Sequence, residues 1–253
     1  MHMIFLRTVS IALLLVLGTR PVEAQGRSHE RERKREGGNA EQQHIRSAEG
    51  EHPIVVPEDE QRRRSKVQQQ RSAEYRRQLG QQVQAMQQQT LQLQQQRRLA
   101  QFRAQEQYVA DIRRQQQGLQ VQRDFAKDPW VGAPYMFRYV ANGANRQTNA
   151  VGAEVLRQSV RTGYAQGYRA GQADQQDHSP SSYQSTFAYR DANYGYAGRD
   201  VDQSDYNFYF RQGLQRGYDD GFTHRSQYGT ASNGSATILT SLLNSILGFQ
   251  PIR

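Results

Sequence analysis

Two stretches of this chain place glycine at every fourth position. Arg161-Thr-Gly163-Tyr164-Ala-Gln-Gly167-Tyr168-Arg-Ala-Gly171 returns 50 residues later as Arg211-Gln-Gly213-Leu214-Gln-Arg-Gly217-Tyr218-Asp-Asp-Gly221. Residues four apart share a helical face, so each copy carries a groove of three glycines beside an apolar ridge. The ridge is Val160, Tyr164 and Tyr168 in the first copy and Tyr206, Phe210, Leu214 and Tyr218 in the second. A glycine inside a helix costs about 1 kcal/mol relative to alanine, so helical propensity alone does not select this pattern. Close approach of a second backbone or a large ring offsets the cost. The spacing predicts helices over 149–177 and 204–222 that pack on each other, each groove receiving tyrosine rings from the other. Arg161, Arg169, Arg211, Arg216, Asp219 and Asp220 interrupt both segments and argue against a membrane-embedded zipper.

The glycine spacing is similar to the repeat of a eukaryotic iron–sulfur adaptor family, in spacing only, and this chain has no Cys. The stretch 163–222, with its intervening Tyr189-Arg-Asp-Ala-Asn-Tyr-Gly-Tyr196, more closely resembles secreted proteins of environmental bacteria that carry glycine–tyrosine helical repeats. That resemblance implies export and no particular activity, and the remaining three quarters or so of the chain lie outside it.

Export is also predicted by the first residues. Arg7 precedes the apolar run 11–17, followed by Gly18, Pro21 and Val22-Glu23-Ala24, the layout of a signal peptide (1–24) cut after Ala24. The run is too short to span a bilayer, so no transmembrane anchor is expected after cleavage. The expected location is secreted or periplasmic.

The charge is uneven. Residues 25–123 carry a net +7 and residues 124–253 a net +1. With 36% hydrophobic residues against the usual 45–50% or so, the first half has little from which to build a core of its own. Residues 25–60 mix charge, Gly and Pro and read as a disordered basic tail. Residues 61–123 contain 23 Gln, no Pro and many helix formers, and read as one long Gln/Arg-rich helix. Val83, Met86, Thr90 and Leu93 step by three and four like a coiled-coil seam, which Arg97 and Ala100 interrupt before Phe102, Val109, Ile112 and Leu119 resume it. The seam predicts a homo-oligomer or a seat for another helix. The pairs and triplets Arg62-Arg63-Arg64, Arg76-Arg77, Arg97-Arg98 and Arg113-Arg114 are candidate contacts to a polyanion, nucleic acid or anionic polysaccharide.

Catalytic and ligand motifs are missing. The chain has no H-E-x-x-H and no G-x-S-x-G, and the six His are scattered. Asp200-x-Asp202-x-Ser204 begins like a calcium loop, but Asp205 and Arg211 stand where Gly and a bidentate Glu are needed. Asp202 or Ser204 reads instead as a helix cap, and Asp219-Asp220 as a solvated polar face. No cofactor or metal is expected. The apolar steps Ile238, Leu242, Ile246 and Leu239, Leu243, Leu247 predict a short helix within 235–253 that docks on the Gly/Tyr domain (124–234). The expectation is a mostly α, non-enzymatic binding or scaffold protein whose partner is an envelope protein or a polyanion, with Gly163, Gly167, Gly171, Gly213, Gly217, Gly221, Tyr164, Tyr168, Leu214 and Tyr218 forming its packing seam.

Overall fold

The computed structural model describes residues 56–119, 124–232 and 235–252. The signal segment and nearly all of the basic tail lie outside them. The described chain is mostly helical: α1 (Glu58–Gln95), α2 (Leu99–Gly118), β1 (Phe137–Ala141), β2 (Ala144–Thr148), α3 (Ala150–Gln176), α4 (Phe187–Asp191), α5 (Gln203–Thr223), β3 (Gly229–Ser232), β4 (Ser235–Ile238), α6 (Thr240–Leu247) and β5 (Gln250–Pro251).

The glycine helices form as their spacing predicts. Asn149 caps α3 by accepting from the Gly152 N–H at 2.9 Å. The two helices run parallel, because partners advance together: Gly163 faces Phe210 and Leu214, Gly167 faces Leu214, and Gly171 faces Tyr218 and Phe222. The contact is reciprocal under the 50-residue offset, with Gly213 on Val160, Gly217 on Tyr164 and Gly221 on Tyr168. What fills each groove is backbone, which corrects the expectation of tyrosine rings. A Cβ at any of the six glycines would fall on a main-chain carbonyl of the facing helix. Backbones this close bring Cα–H groups against carbonyl oxygens, as at other small-residue helix interfaces. The ridge rings flank the seam instead: Tyr164, Tyr206, Phe210, Leu214 and Tyr218 are buried, and Tyr168 is half-buried.

The long helix is present as α1, yet it stops at Gln95 and its continuation folds back as α2. Arg97 adopts a left-handed conformation (φ 57°). The Arg98 N–H then reaches the Leu93 carbonyl at 2.9 Å and the Arg97 N–H the Gln94 carbonyl at 3.0 Å. This is a Schellman ending with arginine in the place glycine usually takes. The break falls where the predicted seam lost its register. Two carboxylate oxygens of Asp177, at the end of α3, accept from the Ala100 and Gln101 N–H groups at 2.9 and 2.8 Å and satisfy the start of α2. The seam closes within the chain. Tyr75, Leu79 and Met86 share one core with Tyr108, Val109, Ile112 and the glycine helices.

Small strands frame the helices. β1 pairs with β2 through Asn142 and Gly143, both at positive φ, and the C-terminal β5 adds to the other edge of β1 in the order β2-β1-β5. β3 and β4 form a second hairpin. A boundary at residue 235 therefore cuts a hairpin, and the apolar C-terminal helix starts at Thr240 rather than near 235. It docks on the domain: Leu243 and Leu247 are 2% exposed.

The same substitution at two helical glycines is expected to have opposite signs. Gly167→Ala places a methyl on the Leu214 carbonyl and loses about 3 kcal/mol or more. Gly80→Ala, whose Cβ meets only the Gln116 amide at an ordinary 3.6 Å, gains about 0.5–1 kcal/mol. Chemical denaturation of both variants checks this.

Candidate binding surface

The buried ionisable groups sort into tyrosine–aspartate pairs that join different elements. The Tyr164 hydroxyl donates to Asp220 at 2.7 Å and Tyr218 to Asp174 at 2.8 Å, both across the glycine seam. Tyr139 donates to Asp205 at 2.8 Å, tying β1 to α5, and Tyr108 to Asp191 at 2.6 Å, tying α2 to α4. Asp220 also accepts from the Gln227 and Tyr228 N–H groups at 2.8 and 2.9 Å. It is 1% exposed, which overturns its reading as part of a solvated face. Burial pushes the Tyr108, Tyr139 and Tyr164 phenols well above their ordinary range, with the adjacent carboxylates adding to the shift, and Tyr218 is pushed up to about 12. These phenols stay protonated and serve as donors. Burial also raises the carboxyls of Asp174, Asp191 and Asp205, against the lowering effect of their tyrosine hydrogen bonds. Such groups hold the fold together.

Five of the nine candidate polyanion arginines already meet a carboxylate. Arg62 pairs with Glu58 at 3.7 Å. Arg63 and Arg64 share Glu60 at 2.6 and 2.8 Å and hold its carboxyl down to about 2. Arg64 also donates to the Ala133 carbonyl and lies over the Tyr135 ring at 4.2 Å. Arg98 reaches Asp174 at 2.5 Å, and Arg114 pairs with Asp111. Arg76, Arg77, Arg97 and Arg113 have no carboxylate partner among the described residues, and they are spread along both helices. Asp202 does stand at the N-cap of α5, but its side chain pairs with Arg71 and caps nothing. His224 caps the C-terminal end of α5 and is exposed.

A concave polar site lies where the apex of the α1–α2 hairpin meets residues 185–190, a place the sequence reading did not single out. Its walls include Gln89 of α1, Arg98, Gln101 and Gln105 at the start of α2, and Ser185 and Arg190. Gln105 is occupied by a 2.9 Å bond to Thr90. The Gln89 and Gln101 side-chain oxygens and the Arg98 Nε are buried without a partner. Each such group costs about 1–3 kcal/mol when left without a partner. Among the described residues no three His, Asp or Glu side chains gather as a metal site, and no helix is long and apolar enough to cross a membrane. The chain matches no family model, and comparison with curated proteins and with solved structures gave no match.

The raised aspartates set a pH dependence. A folded-state carboxyl above its unfolded value makes the folded chain bind protons more readily, so it opposes folding at neutral pH. That penalty is relieved as pH falls through the raised values toward about 4. Glu60 contributes with the opposite sign, below its ordinary range. The thermal midpoint is expected to rise as the pH is lowered from neutral toward about 4, and Asp191→Asn to flatten the rise; a midpoint that falls steadily over that descent contradicts the assignment.

Proposed function

We propose that this is an exported, non-catalytic binding protein of the cell envelope, in which the glycine-seamed pair α3–α5 is the scaffold and the Gln/Arg hairpin α1–α2 carries the binding surface. One observation carries the reading: the buried tyrosine–aspartate pairs are spent on tethering elements, whereas the apex of the hairpin keeps a concave surface lined by Gln89, Arg98, Gln101, Gln105, Ser185 and Arg190. The signal-like N-terminus and the likeness of 163–222 to secreted bacterial repeat proteins support export.

The closed seam supports a unit of one chain. Met86 is fully buried, and Thr90, at 6% exposure, bonds to Gln105, so two of the four side chains expected to recruit another helix already have partners within the chain. A polyanion track along the hairpin is the second reading, supported by Arg76, Arg77, Arg97 and Arg113 and weakened by the five arginines engaged internally.

Purified from the exported fraction, the protein is expected to begin at Gln25 and to show the mass of one chain by light scattering at low and moderate salt. A dimer or larger species would restore self-assembly to the front. Heparin binding that declines steeply with salt would favour the polyanion reading.

A further inference from the structure

One strand of the small sheet has a neighbour on one side only. The order β2-β1-β5 puts β2 at an edge, and the turn at Asn142 and Gly143 fixes which of its backbone groups face outward. Residues flanking a two-residue turn form a hydrogen-bonded pair, and bonded and non-bonded pairs then alternate along the ladder. Ala144, opposite Ala141, and Arg146, opposite Tyr139, therefore turn their backbone groups toward β1. The N–H and C=O groups of Asn145 and Gln147 point the other way. Both residues are exposed, and none of these outward groups has a hydrogen-bond partner among the described residues. Such an edge is a template for one further strand, about 4.8 Å away.

Charge decides which strand fits. Tyr139, Ala141 and Thr148 are buried, and Arg146 shares their face of the sheet, where Asp205 lies. The Arg146 Nε stands 3.6 Å from the Asp205 carboxylate, outside hydrogen-bond range, and the side chain is 42% exposed, so its terminal nitrogens remain for another acceptor. Arg138, on the opposite face beside Gln147, is exposed and has no carboxylate partner among the described residues. A second copy pairing through this edge sets Asn145 against Gln147 and Arg146 against Arg146, which like charge disfavours. An inward-pointing charge of this kind blocks pairing between identical edges. A strand with a carboxylate opposite Arg146 gains a cross-strand ion pair instead.

We propose that β2 accepts an extended acidic segment of a partner protein as a further strand, with the partner's main chain on Asn145 and Gln147 and a carboxylate on Arg146. The edge shares no residue with the recess at the hairpin apex, so the two surfaces are tested independently.

Calorimetric titration of the intact protein tests it with short capped peptides of alternating threonine and valine. One carries glutamate at its centre, one carries lysine there, and one carries the glutamate on an N-methylated backbone. The glutamate peptide is expected to bind one per chain with a Kd of about 1 mM or below, at least about five-fold more tightly than the lysine peptide. The N-methylated peptide has no N–H groups to pair and is expected not to bind. Gln147→Pro removes an outward N–H and no bond to β1, so it is expected to keep the fold and lose the glutamate peptide. Arg146→Gln is expected to keep the edge and bring the glutamate and lysine peptides to equal affinity. Arg146 is exposed, so this variant tests the site even where proline disturbs the strand. No binding of the glutamate peptide, no preference for it over the lysine peptide in the native chain, or unchanged binding by a folded Gln147→Pro chain overturns the proposal. A doubled mass that Gln147→Pro returns to one chain puts a second copy on the edge and overturns it as well.

Discussion

Contact between two helical backbones along six glycines governs the rest of this structure. The pair is parallel, so the chain leaving α3 must travel back along its length before α5 begins. For a helix of 27 residues that is about 40 Å. Residues 177–202 cover it mostly as irregular backbone, whose N–H and C=O groups need partners when buried. The hairpin supplies many of them. Gln68 accepts from the Asp200 N–H at 2.8 Å, Gln115 accepts from the Gly195 N–H at 2.8 Å and donates to the Tyr196 carbonyl, and the Tyr75 hydroxyl reaches the Asn193 carbonyl at 3.3 Å. The glutamine richness of 61–123 has a structural reason here: an amide side chain offers both a donor and an acceptor to an unpaired backbone.

The glycine seam also fixes the composition of the core. Glycines bury no side chain, so apolar volume has to come from residues flanking the seam, and tyrosine provides most of it. Tyr75, Tyr164, Tyr196, Tyr206, Tyr209 and Tyr218 are among the largest fully buried side chains. Each brings a hydroxyl that must be satisfied. Tyr196, Tyr206 and Tyr209 find carbonyls of Val201, Tyr194 and Val140, while Tyr164, Tyr218, Tyr139 and Tyr108 find aspartates. Burying a carboxylate is unfavourable unless it is hydrogen-bonded, and the phenols provide those bonds without cancelling the charge. That is why the aspartates stay raised and why this core is directional where an aliphatic one would be permissive.

Both glycine helices could be read from the sequence to within a residue or two, because a four-residue period with no proline allows few alternatives. Their groove partner could not, since periodicity marks a face and says nothing of what meets it. The hairpin break was hidden for a related reason: the chain turns at Arg97, and α3 ends at His178, both at positive φ where glycine is the usual signal. The register lost at Arg97 and Ala100 was the trace it left. The β1–β2 hairpin did carry a signal, the Asn142-Gly143 pair, which favours a two-residue turn with both φ positive. The burial of Asp220 depends on Tyr164, 56 positions away, and no local pattern reports such a pair. The recess is likewise assembled from three separate segments, so no spacing along the sequence marks it.

The recess follows from the same economy of amides. Along the base of the hairpin, Gln68 and Gln115 meet backbone of residues 195–200, and the apolar side chains Tyr75, Leu79, Tyr108 and Ile112 fill the space between. Toward the apex the interior turns polar: Thr90, Gln101 and Gln105 are buried where a bundle ordinarily places aliphatics. There the facing segment offers Ser185 and Arg190, and the amides of Gln89 and Gln101 find no protein partner. An aliphatic apex would close on itself by packing; an amide apex stays open, because its groups keep their demand for partners.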